Sequence, residues 1–394
     1  MINKEILKDN LLKLYDNRLS SKDRQELANF TPITKYDSNI IVETLKAKLT
    51  ENLPEIARDA HELILNLVIN TDFNSEAYKI YYQRILPIFE KLYSNLSQNG
   101  KNKLLQILAM MNVPKSLAMF VEFVTDPSCD DNYDIYRSIK TFIEIDEECV
   151  DILFPALNKV FEYKDFRAVG VIELANQLYS DKKLTNHPLE NDLSIIKAWL
   201  DNTDPSEFSY GVTGCATLSL IKDKESKKLL NLATKHPGLE VRLEAVFSQI
   251  ILGIDGAKQK LEEFCLDPRI STLAIAYAVE LGLYEQIEQE HQDILNNQDF
   301  ILTSEMSYWL MHEREYGRPP SKTEIWDKRG IIDNSNEYLF KYYYPDSKDF
   351  NKLVLQGIGY AYLNKDNEYQ VYSNSKIYQT PKEAYIDYVF EFKE

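Results

Sequence analysis

A faint 31-residue echo in the third quarter of the chain constrains its architecture most. Gly214, Ala245 and Ala276 stand 31 residues apart, and Ile221, Leu252 and Leu283 repeat the step. A fixed period of that length marks stacked helical hairpins, because one hairpin cannot bury its apolar face alone and must lay it on a neighbour. Small residues in register are expected where stacked helices approach closely, which puts Ala245 in such a contact.

Composition fits that frame. At 394 residues the chain exceeds one ordinary core, but stacked repeats are not limited by surface-to-volume scaling, so two or three structural units are expected. Hydrophobic residues at 44% and charged residues at 27% describe a folded globular chain. The net charge of −17, from 62 acidic against 45 basic residues, disfavours nucleic acid, whose phosphates need concentrated cations. Only 11 of the basic residues are arginine, the side chain whose fork suits phosphate and guanine.

Cys129, Cys149, Cys215 and Cys265 lie far apart with no CxxC pair and read as reduced core thiols of a cytoplasmic protein. The opening residues are charged throughout and lack the apolar centre of a secretory signal. No run approaches 18 apolar residues, so no membrane span is expected.

Three segments emerge from the patterning. Residues 1–35 read as capping helices, with Leu7, Leu11, Leu14 and Tyr15 on one stripe; residues 36–302 read as an α-solenoid; residues 303–394 read as a tyrosine-rich α+β domain. Predicted helices are Ile40–Leu49, Pro54–Ile69, Ser75–Ser97, Lys101–Met111, Pro114–Val124, Asn132–Ile143, Glu147–Phe161 and Phe166–Tyr179. Pro54, Pro114 and Pro188 stand where helices should begin, since the first turn tolerates a missing N–H. Asp126-Pro127, Asp204-Pro205 and Asp267-Pro268 read as turns between repeats, because the residue before proline leaves helical space and Asp caps the next helix.

The segment from Pro237 to Pro268 resembles one HEAT-type repeat. It carries Val241-Arg242 with Ala245 three residues on, then Ile251-Leu252, Asp255, Ala257 and Leu261. The resemblance implies a mostly α fold of HEAT-like helical hairpins and nothing about activity, since such folds serve many functions. Neighbouring repeats depart from the pattern. Gly211 and Leu273 stand one period either side of Arg242, which argues against an arginine ladder.

Beyond Thr303 the period changes to alternation, and 13 of the 26 tyrosines fall between Tyr308 and Tyr388. Glu337–Tyr344, Leu353–Leu363 and Tyr369–Tyr372 read as strands, with a bulge or bend at Gly357 and Gly359. Thr380-Pro381-Lys382-Glu383 has the form of a capping box opening a last helix. Alternation puts Tyr338, Phe340, Tyr342 and Tyr344 on one face, more aromatic surface than one buried face is expected to absorb. The remainder is expected to form an exposed binding patch.

Catalytic signatures are missing. The five histidines form neither HExxH nor a Cys/His spacing and read as exposed or capping residues. The acidic clusters at Asp126, Asp130, Asp131 and Asp134, and at Glu144, Asp146, Glu147 and Glu148, lack the glycine of a calcium loop. No cofactor and no metal site is expected. The reading is a non-enzymatic scaffold for a protein or peptide partner of basic or neutral charge, not for nucleic acid or membrane. Its candidate partner-binding residues are Trp309, His312, Tyr316, Arg318 and Trp326, crowded at the joint before the C-terminal module. The alternative is an enzyme on helical repeats, of DNA-glycosylase or lyase type, with Trp199 beside Asp201 and Asp204.

Overall fold

The computed structural model describes residues 4–16, 18–29, 34–48, 56–71, 76–94, 96–111, 113–126, 157–312, 317–330, 336–346, 351–364 and 368–392, with isolated positions between them. These residues are mostly helical, with one antiparallel four-stranded sheet near the C-terminus. The chain divides into two compact units, Met1–Ile195 and Ile196–Glu394. The division falls inside the span expected to be a single solenoid.

In the first unit the described helices are α1 (Lys4–Lys13), α2 (Ser21–Leu27), α3 (Lys35–Lys48), α4 (Ile56–Ile69), α5 (Glu76–Arg84), α6 (Leu86–Tyr93), α7 (Gln98–Met111), α8 (Pro114–Val124) and α9 (Phe166–Ser180). Helix α1 packs on α3, α3 on α5, and α4 on α7. The single helix expected over Ser75–Ser97 is two, because Pro87 lacks the N–H that would carry the ladder through and instead opens α6. Pro114 opens α8 as expected. Residues 158–162 form a 3-10 turn rather than the end of an α-helix. The helix expected over Asn132–Ile143 and most of that over Glu147–Phe161 lie outside the described residues.

Helix α10 (Ser194–Leu200) crosses the division. The second unit continues with α11 (Phe208–Ile221), α12 (Lys224–Ala233), α13 (Leu239–Ile251), α14 (Ala257–Cys265), α15 (Ser271–Glu280), α16 (Tyr284–Glu290), α17 (Gln292–Leu295) and α18 (Gln298–His312). Helices α11, α13 and α15 each lead a pair and begin 31 and 32 residues apart, which is the origin of the sequence echo. Helix α11 lies directly on α13, where a Cβ at Gly211 would stand 3.1 Å from Val241 and Ser248 Oγ donates to the Cys215 carbonyl at 2.9 Å. Ala245 is fully buried in α13, as its register required.

Ala276 is exposed, which corrects the third member of the echo. Helix α15 starts one residue late, and one residue turns a side chain by about 100° around a 3.6-residue helix. Ala274 and Ala278 are buried in its place, against Leu243, Val246 and Leu261.

The sheet runs β1 (Lys322–Gly330), β2 (Asn336–Pro345), β3 (Leu353–Leu363) and β4 (Tyr369–Asn374) in sequential order, and α19 (Pro381–Phe392) comes after it. Three strands and the last helix match the sequence reading, while β1 is an addition. Register shifts beside Gly357, where Tyr342 faces Gly357 and Tyr343 faces Leu355. Helix α18 covers one face and α19 the other, so two helices flank the sheet where one was expected. Tyr338, Phe340, Tyr342 and Tyr344 are all buried beneath Leu302, Met306 and Leu310 of α18. That corrects the expectation of surplus aromatic surface on this face. Helix α18 is continuous across the boundary expected at 302/303, because its apolar side is the lid of the sheet.

Candidate functional site

Asp267-Pro268 and Asp204-Pro205 are helix-connecting turns, as expected. At a third turn, His236-Pro237-Gly238, the imidazole caps the start of α13. Nδ1 accepts from the Gly238 N–H at 3.0 Å, so Nε2 carries the proton and donates to the Asn202 carbonyl at 3.0 Å. The ring stands edge-on to Phe208 at 4.8 Å. Burial, more than any neighbour, pushes the His236 pKa down, which keeps the ring neutral. A Cβ at Gly238 would stand 2.6 Å from the Phe208 ring, so only glycine lets the chain pass here.

The same turn geometry recurs at His187-Pro188-Leu189, where Nδ1 accepts from the Leu189 N–H at 3.2 Å and Nε2 meets Asn176 Oδ1 at 3.0 Å. His61 meets the Tyr15 hydroxyl at 3.0 Å. The three histidines are buried, not exposed, and burial holds His61 and His187 at pKa values of about 4.

The turn that caps α13 also opens a cavity of about 150 Å³. Three arginines line it from separate parts of the chain: Arg242 from the first turns of α13, Arg269 from the turn before α15, and Arg318 from the segment leading to β1. Arg269 is committed, its Nε donating to Asp267 Oδ1 at 2.9 Å and its Nη2 to Oδ2. Arg318 lies with its Cζ 5.5 Å from the Tyr344 ring, and the Tyr344 hydroxyl donates to the Arg318 carbonyl at 3.1 Å. Among the described residues neither Arg242 nor Arg318 has a carboxylate within ion-pair distance.

One carboxylate, Glu240 in the first turn of α13, shares the cavity. Burial raises its pKa against the backbone N–H bond that its own residue donates to it and the weaker pull of Arg318 and Arg242. Its Oε1 and the Arg242 Nε are both buried without a hydrogen-bond partner. Burial, then Arg269, lowers the Arg242 pKa, but a guanidinium stays charged at any working pH. Pro205, Pro237, Pro319, Pro320 and Pro345 supply walls that have no N–H. The result is a half-open pocket of mixed polar and apolar lining on which three guanidiniums converge.

Of the four described residues expected to bind a partner, Arg318 alone belongs to this pocket. Trp309 is exposed on α18, and His312 at its end donates Nδ1–H to the Tyr308 carbonyl at 2.9 Å. Trp326 is the extra residue of a bulge in β1 and packs on the α19 face of the sheet, with Lys341 Nζ 4.0 Å over its ring. Helices α18 and α19 lie on opposite faces, so the two tryptophans do not share a patch. Tyr316 lies outside the described residues.

Sequence patterning assigned Arg242 to architecture alone and missed Glu240 and Arg269. Arg269 arrives four residues ahead of Leu273, the position a strict period would test. The available signal was the Asp267-Pro268-Arg269 turn, which holds its arginine beside the helix start.

Other groups offer less. A larger open hollow of about 690 Å³ beside the start of α19 is lined by Asp327, Arg329 and Tyr385, but Arg329 is stacked 3.5 Å from the Tyr385 ring and paired with buried Glu337. Among the described residues Glu262, Glu290 and His291 bring three possible metal-ligand atoms within 4.8 Å, and a 2.5 Å hydrogen bond between His291 Nε2 and Glu262 Oε1 already engages two of them. Trp199 is buried against Tyr210 and is no stacking platform for a base. Of the acidic clusters, all but Asp126 lie outside the described residues. No described helix is long and apolar enough to cross a membrane.

No family model matches this chain, and no curated protein or solved structure matches it either. The HEAT-like resemblance rests on the residues from Pro237 to Pro268.

Proposed function

We propose that this chain is a non-enzymatic binding protein, a HEAT-like helical-repeat scaffold that holds a protein or peptide partner. The observation that carries the reading is the arginine corner, where a helix start and the lead-in to the sheet enclose a pocket with two uncommitted guanidiniums. Arginine anchors in desolvated pockets are the kind of residue that dominates protein–protein affinity. The regular succession of α11, α13 and α15 supports the repeat assignment. Buried Cys215 and Cys265, which form no disulfide among the described residues, support a cytoplasmic setting.

The net charge of −17 favours a partner of basic or neutral overall charge at long range, while the corner governs one local contact. The test is capture of partners from source-cell lysate on the wild-type chain and on Arg318→Ala in parallel. Arg318 is half-buried, so R318A should melt like the parent yet lose a protein that the wild type recovers at low salt. Equal recovery by both chains, or no specific recovery by either, would sink the reading.

A further inference from the structure

The geometry points to a specific chemistry for that corner: we infer that it is an oxyanion site, taking one carboxylate or phosphate group presented by the bound protein partner. The inference rests on the binding-protein reading and names the group recognised.

Charge is the first argument. Arg242, Arg269 and Arg318 converge on one cavity, and the negative groups beside them are Glu240, the Asp267 already held by Arg269, and Asp204, which interacts with Arg318. Three carboxylates thus stand near three guanidiniums, but Asp267 is held by Arg269 and Asp204 accepts from Ser206, so neither Arg242 nor Arg318 is in a direct ion pair among the described residues. Guanidiniums drawn together on one cavity repel one another. An anion placed between the Arg242 and Arg318 forks relieves that repulsion.

The donors have the right form as well. A guanidinium presents N–H groups in a planar fork that matches carboxylate and phosphate oxygens. Arg242 Nε is buried and donates to nothing. The start of α13 borders the same corner, and its dipole favours negative charge, with the Gly238 N–H taken by the His236 imidazole and the first-turn Leu239 and Glu240 N–H groups by the Glu240 carboxylate. Glu240 takes part of that field, and its own unpartnered Oε1 marks it as a weak internal stand-in for an external anion.

Size limits the guest. A cavity of about 150 Å³ has room for a carboxylate or phosphate with its linking atom. The rest of the partner must stay outside, so the group that enters is an acidic side chain, a chain terminus or a phosphorylated side chain.

The experiment uses the full chain and three probes at constant ionic strength: acetate, inorganic phosphate and chloride. Thermal midpoint and calorimetric titration are read for wild type, R318A, Arg318→Lys and Glu240→Gln. The expected result is a saturable response to acetate or phosphate but not to chloride, weakened at least tenfold in R318A, only partly restored by R318K, and strengthened in E240Q. The stronger of the two oxyanions tells a carboxylate from a phosphoryl source. No oxyanion response in wild type, or an equal response in R318A, overturns the assignment. Anion binding that depends on Arg318 without Arg318-dependent partner capture keeps the oxyanion site and removes the scaffold reading. Partner capture that depends on Arg318 without any anion response does the reverse.

Discussion

Glu244 should make the second unit lose stability as pH rises, and one substitution should abolish that loss. The side chain is buried in α13, where the Tyr277 hydroxyl donates to Oε2 at 2.6 Å. Burial raises the folded-state pKa from 4.5 to about 7, with nearby Glu280 adding to the shift. A raised folded pKa means that the native state keeps a proton the unfolded state has released. The contribution is therefore fully present below pH 4.5 and lost as pH climbs toward 7. Each pH unit in that window is worth about 1.4 kcal/mol, so going from about pH 5.5 to pH 8 removes about 2 kcal/mol. Glu244→Gln offers Tyr277 the same acceptor without titrating. Urea unfolding of both proteins at the two pH values isolates the term, because every other group is common to the pair. The wild type should lose about 2 kcal/mol more than E244Q. Parallel losses would refute the buried, protonated carboxyl.

Two more outcomes are expected from packing and burial. Ala245→Leu should overpack the contact around α13 and cost about 1–3 kcal/mol by equilibrium unfolding, whereas Ala276→Leu, on an exposed position of α15, should stay within about 0.5 kcal/mol; equal effects would disprove the one-residue slip. His61 and His187, both in the first unit, have folded pKa values of about 4, so their contribution is present above the unfolded value of 6.5 and lost as pH falls toward 4, about 2 kcal/mol each by pH 5. A His61→Gln, His187→Gln double variant should shed most of that acid sensitivity, and a decline parallel to the parent's between pH 7 and 5 would count against it.

Much of the local structure was legible. Pro114 opened its helix, the Asp-Pro turns at 204 and 267 punctuated the run, and alternation placed Tyr338, Phe340, Tyr342 and Tyr344 on one face. The Thr380 hydroxyl accepts from the Glu383 N–H at 3.4 Å, while the Glu383 carboxylate reaches the Gln379 N–H at 3.0 Å, a close variant of the expected box. Strand β1 was missed because Lys322–Gly330 is polar and half-exposed at the sheet edge, with no buried stripe to betray its period.

By itself the amino-acid sequence determined most of the elements, since caps, prolines and alternation act within a few residues of one another. It also determined the sign and scarcity of the charges. Tertiary structure alone decided which of the small residues lie in contacts, because a one-residue delay in α15 turned Ala276 outward while Ala245 stayed buried. It alone brought Arg242, Arg269 and Arg318 to one cavity. Their convergence spans 76 residues of chain, and no local rule links a helix start, a turn and the lead-in to a sheet. Only the packing of those three segments places their guanidiniums side by side.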